Sequence, residues 1–203
     1  SLTGLHIAPF TSWVNAATNI QAAVDAANAG NLVLVAAGEY RGEPVEISGS
    51  MVVIEKGITL ESVDGPAATT INAIGWHKRN IYMSHPDAVV RGFFLAGGYA
   101  RTNMGPQTYP VSYGGGVFIK GGGLVDACII DYARAGLAAG SAYLEGGGEL
   151  RDCLIMAGSA PWCGGVYCSN GGSIVNCTIV QCRTLSTNFA GGVWCVNGGT
   201  VVN

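Results

Sequence analysis

Four aromatic residues recur at one place in a repeated pentapeptide, and an aromatic ring is a side chain that can stack on the flat face of a sugar. Phe118, Tyr143, Tyr167 and Trp194 are the fourth residues of Gly-Gly-Val-Phe-Ile (115–119), Gly-Ser-Ala-Tyr-Leu (140–144), Gly-Gly-Val-Tyr-Cys (164–168) and Gly-Gly-Val-Trp-Cys (191–195). If Val117, Ala142, Val166 and Val193 point into a core together with Ile119, Leu144, Cys168 and Cys195, strand alternation turns the four rings outward. Such a stripe has two readings. It is either a surface for sugar rings or a partner protein, since exposed aromatic patches of that length usually have a use, or a stacked ladder that stabilises a sheet beneath a loop. Tyr109 and Tyr113 belong to a segment, 97–115, that also holds Tyr99, Arg101, Pro106 and Pro110. That segment has no strand pattern and exceeds ordinary loop length, so a ligand groove is expected beside it.

Ionisable groups give less. Lys120 and Glu145 stand two residues beyond Phe118 and Tyr143 and are expected to form a surface ion pair. Asp126, Asp131, Glu145, Glu149 and Asp152 are the nearest approach to an acidic group, and no two of them recur on one outward track. The convergent carboxylates that acid–base chemistry on glycans requires are not evident. Trp76-His77-Lys78-Arg79 concentrates basic and aromatic groups that could meet an acidic glycan, although the plainer expectation is a solvated turn. Neither CxxC nor HExxH occurs, so no zinc site is expected. Cys128, Cys153 and Cys177 fall on one expected inward column and Cys168 and Cys195 on another, which suits small buried thiols. Cys163 and Cys182 lie off both columns and are the candidates for a disulfide.

These residues can be placed only by a repeat. The third residues of the four pentapeptides are 25, 24 and 27 positions apart. A second track keeps step with them: Val125-Asp126-Ala127-Cys128, Leu150-Arg151-Asp152-Cys153, Ile174-Val175-Asn176-Cys177 and Val201-Val202-Asn203. Glycine turns at 121–123, 146–148, 171–172 and 198–199 separate the tracks. Each unit holds short runs of period two and no helix-length stripe, so one unit cannot bury its apolar face alone, whereas stacked units can. The expected fold is a right-handed single-stranded parallel β-helix, its hand following from the preference for right-handed crossovers. Strand-like runs at 31–36, 45–47, 51–54, 58–60, 69–71, 80–83 and 88–95 supply the first coils. An amphipathic helix over 19–29, opened by Thr18-Asn19-Ile20-Gln21 and stopped at Gly30, is expected to cap the N-terminal end. Residues 1–203 read as one domain, with clear repeats over 114–203. Because Val201-Val202-Asn203 matches the point just before the ladder cysteine, the chain is expected to be the N-terminal part of a longer solenoid. Its open end would continue into further coils or dock on another subunit.

Composition agrees with a turn-rich β protein. Gly supplies 32 of 203 residues, 49% are hydrophobic, and 13 acids against 10 bases give a net charge of −3. Neither sign is clustered, so nucleic acid is not an expected partner. The most apolar stretch is interrupted by Gln21, Asp25, Asn28 and Asn31, so no membrane insertion of this segment is expected.

The run from Ser12-Trp13 to Tyr40, with Ile-Gln-Ala-Ala-Val-Asp-Ala-Ala and Val-Leu-Val-Ala-Ala-Gly-Glu-Tyr, resembles the entry motif of pectin-lyase-like β-helix proteins. Lys56-Gly57-Ile58-Thr59-Leu60, Thr70-Ile71-Asn72-Ala73 and Val90-Arg91-Gly92-Phe93 continue that likeness. The Gly-Gly-Val-Tyr-Cys and Asn-Cys-Thr-Ile units are similar to repeats of bacterial secreted or surface-anchored members, including polymorphic-outer-membrane-protein-like and choice-of-anchor types. The resemblance implies a secreted or cell-surface bacterial solenoid with a structural or adhesive role and a polysaccharide or surface-protein partner. It needs no cofactor. The alternative it carries is a carbohydrate-active enzyme, a polysaccharide lyase or glycoside hydrolase; a lyase would abstract the proton α to a uronate carboxylate with a Lys or Arg base, and calcium would enter with that reading alone.

Overall fold

One winding of the chain shows how the repeat closes. In the computed structural model, which describes residues 10–41, 49–101 and 112–203, Ala142–Glu145, Glu149–Arg151, Leu154–Met156 and Ser159–Ala160 are successive short strands. None pairs with its neighbour in sequence. Each pairs in parallel with its equivalents in the windings before and after, so four sheets run along the molecule. We number them in the order the chain visits them from Leu32–Val35. Sheet I has seven strands, from Leu32–Val35 to Thr200–Val202, and so spans six windings. Sheet II, from Gly38–Tyr40 to Thr178–Val180, and sheet III, from Ser50–Ile54 to Val193–Val196, have six strands each. Sheet IV comprises Tyr99–Ala100, Arg134–Ala135, Ser159–Ala160 and Arg183–Thr184. The architecture is an all-β parallel β-helix.

Like residues stack because register is kept from winding to winding. On sheet III the inward column runs Ile54, Met83, Ile119, Leu144, Cys168 and Cys195. On sheet I it runs Val33, Leu60, Val90, Val125, Leu150, Ile174 and Val201. On sheet II, Ile71, Leu95, Ile130, Ile155 and Ile179 do the same. Strands repeat about 4.8 Å apart along the axis, and each fully buried aliphatic side chain contributes about 1.5–3 kcal/mol. This column packing is what holds the windings together.

The 88–95 run is two strands, Val89–Arg91 and Phe94–Ala96, because Gly92 turns the corner at φ 76. The 45–47 run lies outside the described residues. The cap helix spans Ile20–Ala26 and is shorter than the 19–29 expected. Asn19 caps it, accepting from Ala22 N at 2.8 Å. Ala27 already leaves the helix, and Lys56 Nζ donates to the carbonyls of Asp25 and Ala27. Gly30 is therefore part of the turn into sheet I and donates to Gly57 O rather than stopping the helix. Buried Ile20 and Val24 close the core. Gln21 blocks the sheet III edge: its Oε1 accepts from Val53 N at 2.8 Å and its Nε2 donates to Val53 O at 3.2 Å. A strand edge left bare at this end would be a template for unwanted pairing.

All seven cysteines are free, which corrects the expected Cys163–Cys182 disulfide. Cys163 is fully buried and its Sγ contacts Val166 O at 3.2 Å, so it packs on its own turn. Cys128, Cys153 and Cys177 form the inward stack at the corner between sheets I and II. Each Sγ sits 3.1–3.3 Å from the carbonyl oxygen two residues earlier, on Asp126, Arg151 and Val175. Burial pushes the Cys128, Cys163 and Cys168 thiols up to about 12, keeping them protonated and inert.

Candidate functional site

The outward track of sheet III carries a longer aromatic ladder than the four repeats indicate. Tyr82, Phe118, Tyr143, Tyr167 and Trp194 are register partners on successive strands. Stacked neighbours have ring centroids 5.6, 5.0 and 5.2 Å apart from Tyr82 through Phe118 and Tyr143 to Tyr167. Most of this ladder is covered, which corrects the expectation of a stripe open along its length. Phe118 is 0% and Tyr143 8% exposed, and both pack with Val53, Tyr82, Ala138 and Ala139 in a second apolar cluster outside the main core. The cover is the chain returning from sheet IV to sheet III. Its successive passes stack on one another through bridges between Tyr113 and Ala138 and between Cys163 and Ala190. Burial pushes the hydroxyls of Tyr82, Tyr143 and Tyr167 up, as expected for phenols under an apolar lid.

Tyr113 is part of that lid, its ring 4.9 Å from that of Tyr143. Tyr109 lies outside the described residues. Arg79 was expected in a solvated turn with Trp76, His77 and Lys78, but it begins the strand Arg79–Met83 and is 1% exposed. Its guanidinium stands 5.1 Å over the Phe118 ring and donates to Gly114 O at 2.8 Å and Tyr113 O at 2.6 Å. Burial holds its pKa down to about 9. A buried cation beneath the rings thus ties the lid to the ladder.

Toward Val193–Val196, the last sheet III strand described, the ladder is joined by further rings. Tyr167, Trp194 and Trp162 are half-buried, and Phe189 is 37% exposed. Phe189 lies between the two indoles, 5.9 Å from Trp162 and 4.9 Å from Trp194. Trp162 and Phe189 come from the turns following Ser159–Ala160 and Arg183–Thr184, each two residues before the glycine that opens its pentapeptide and 27 positions apart, as Val166 and Val193 are.

Sheet I displays a charge ladder that the sequence did not disclose. Glu61, Arg91, Asp126 and Arg151 are register partners on four successive strands, alternating in sign. Arg91 bonds Asp126 at 2.8 Å and Glu61 at 3.3 Å, and Arg151 bonds Asp126 at 3.1 Å and Glu149 at 3.5 Å. Glu61 and Asp126 do share one outward track, but Arg91 stands between them, so they cannot work as an acid–base pair. A shallow depression beside the ladder, lined by Pro86, Gly123, Leu124, Gly148, Glu149 and Arg151, offers one acid and one base that already pair with each other. Lys120 and Glu145 are register partners, yet no ion pair joins them, in keeping with the small gain from an exposed contact. Among the described residues no three His, Cys, Asp or Glu come together as a metal-holding group, and no helix is long and apolar enough to cross a membrane.

Burial raises the Asp126 carboxyl pKa, but hydrogen bonds from Arg151 and Arg91 outweigh it and hold the value below the usual carboxylate range. A lowered folded-state value means stability that is present above the unfolded pKa and lost as pH falls through the folded one. Both guanidiniums are about two-fifths exposed, so the gain is screened. Asp126→Asn is expected to lower the unfolding free energy by about 1 kcal/mol at neutral pH. The difference should vanish in strong acid; denaturant unfolding at the two pH values checks both parts.

No family model, curated protein or solved structure matches the chain. Its parallel β-helix architecture therefore rests on the sheets and their register.

Proposed function

We propose that this chain is a structural or adhesive β-solenoid of the secreted or cell-surface kind, similar to bacterial members of the pectin-lyase-like superfamily, and that it binds glycan on its lateral surface. The observation supporting the reading is the group of Trp162, Tyr167, Phe189 and Trp194, four half-buried or exposed rings that two adjacent windings bring together on the outward side of sheet III. Half-buried rings fixed by their neighbours offer a flat apolar face at little entropic cost, which is what stacking on a pyranose requires. The described carboxylates that share an outward track, Glu61 and Asp126, are both engaged by Arg91, which suits a binding surface.

The test is a broad glycan array with the intact chain and with Phe189→Ala/Trp194→Ala. The expected result is that the variant keeps its far-ultraviolet spectrum and loses about tenfold in affinity for the glycans the parent binds, the loss of a ring contact being about 0.5–1.5 kcal/mol. Unchanged affinity, or no glycan bound by the parent, overturns the reading.

A further inference from the structure

Sheet IV differs from the other three in charge. Its strands, Tyr-Ala, Arg-Ala, Ser-Ala and Arg-Thr, contain no acid. Arg134 and Arg183 are exposed and share one column through Ser159, so they stand two windings apart. At one strand spacing per winding, this separates them by about 9.6 Å along the axis. Neither side chain makes an ion pair or hydrogen bond with any described residue, whereas Arg91 and Arg151 on sheet I are both engaged. The nearest carboxylate along the chain, Asp131, is 8% exposed and not within ion-pair distance of Arg134.

Two rings flank these cations. Tyr99 is the register partner of Arg134 one winding below, with His77 edge-on to it at 5.5 Å. Tyr132 is 64% exposed and held at φ 52 at a corner where the windings on either side use Gly97 and Ala157. The next winding has Gln181 there at φ 55, so the left-handed backbone is common to the corner and it is the exposed ring that sets Tyr132 apart.

We propose that sheet IV is a track for an acidic polysaccharide in which a charged sugar alternates with an uncharged one, lying along the solenoid axis. Two linked pyranose rings span about the distance between Arg134 and Arg183, so successive carboxylates of such a polymer meet successive guanidiniums. Tyr132 and Tyr99 supply platforms for rings, and Ser159 lies between the two charges. A nucleic acid strand is a poorer match, because its charges recur about every 3.4 Å and the chain as a whole is acidic. The inference rests on the binding reading above and narrows its ligand.

The experiment is titration of the intact chain with hyaluronate, polygalacturonate and neutral dextran of similar length, at low and high salt. Hyaluronate should bind most tightly and weaken as salt rises. Arg134→Ala/Arg183→Ala should lose about tenfold in hyaluronate affinity, while Lys120→Ala, which removes an exposed base from sheet III, should lose none. Equal affinity for hyaluronate and dextran, or for hyaluronate and polygalacturonate, overturns the track. So does a double variant that binds normally. If Phe189→Ala/Trp194→Ala alone weakens binding, the track falls and the glycan reading stands; if no polymer binds, both fall.

Discussion

Phe118→Ala is expected to lower the unfolding free energy by about 3–5 kcal/mol, as for other large aromatic residues deleted from a packed interior. The side chain is 0% exposed although it points away from the main core. It stacks on Tyr82 below and Tyr143 above, and Arg79 rests on its face. Removing the ring leaves a void between two windings and takes the apolar floor from beneath Ala138 and Ala139. The guanidinium of Arg79 would keep its carbonyl partners but lose its ring contact. Chemical denaturation monitored by circular dichroism checks the size of the effect. A loss under 1 kcal/mol would mean that the lid is dispensable and that the middle of the ladder is available to ligands after all. Lys120→Ala, two residues on and exposed, is the internal control and should change stability by no more than about 0.5 kcal/mol.

The burial of Phe118 also shows which parts of this molecule the sequence discloses. Alternation correctly separates Val117 and Ile119 from Phe118, because side-chain direction is a local property of a strand. The spacings of 25, 24 and 27 residues predict the pairing of Val117 with Ala142, Val166 and Val193, and those four are Cα partners in the structure. The cysteine column is legible for the same reason. Whether an outward ring meets water, however, depends on where the chain goes after it has left the strand, and the residue types of 136–139 do not recur in the next windings in a way that places them over sheet III. Sheet IV escaped notice because its strands are two residues long, too short for any period to show. The Glu61–Arg91–Asp126–Arg151 ladder escaped because the windings joining its first three members are 30 and 35 residues long. Only the 25-residue step from Asp126 to Arg151 lies within the clean repeat. Trp162 and Phe189 keep the 27-residue spacing of their windings, but Ala138 holds the equivalent place one winding earlier, so no unbroken aromatic period shows, and that this turn packs against the ladder is a matter of tertiary packing.

Backbone approach, rather than backbone angle, accounts for the other large effect expected here. Gly115→Ala should destabilise by about 3 kcal/mol or more, because the added methyl has no place to go. Its Cβ would stand 1.9 Å from Arg134 O, 2.6 Å from Arg134 C and 2.7 Å from Arg134 N. All three are main-chain atoms of a sheet IV strand, so no rotamer change relieves the clash. Two windings later Gly164 meets the main chain of Arg183 at 2.3–2.6 Å, and between them Gly140 meets Ser159 N at 2.3 Å. The glycine that opens each of the first three pentapeptides is therefore the contact that lets sheet IV close against the start of sheet III. The turn glycines behave differently. Gly121 and Gly146 have φ of 74 and 71 with nothing within 4 Å of a built Cβ, and the equivalent places in the next windings hold Asn170 and Asn197 at φ 58 and 56. Gly146→Asn should thus cost less than about 1 kcal/mol, since asparagine tolerates the left-handed region. Thermal unfolding of the two variants separates the causes: a large loss for Gly115→Ala with a small one for Gly146→Asn follows from close packing of sheet IV. Equal losses would mean that conformational freedom in the turns, and not contact between sheets, explains the abundance of glycine in this chain.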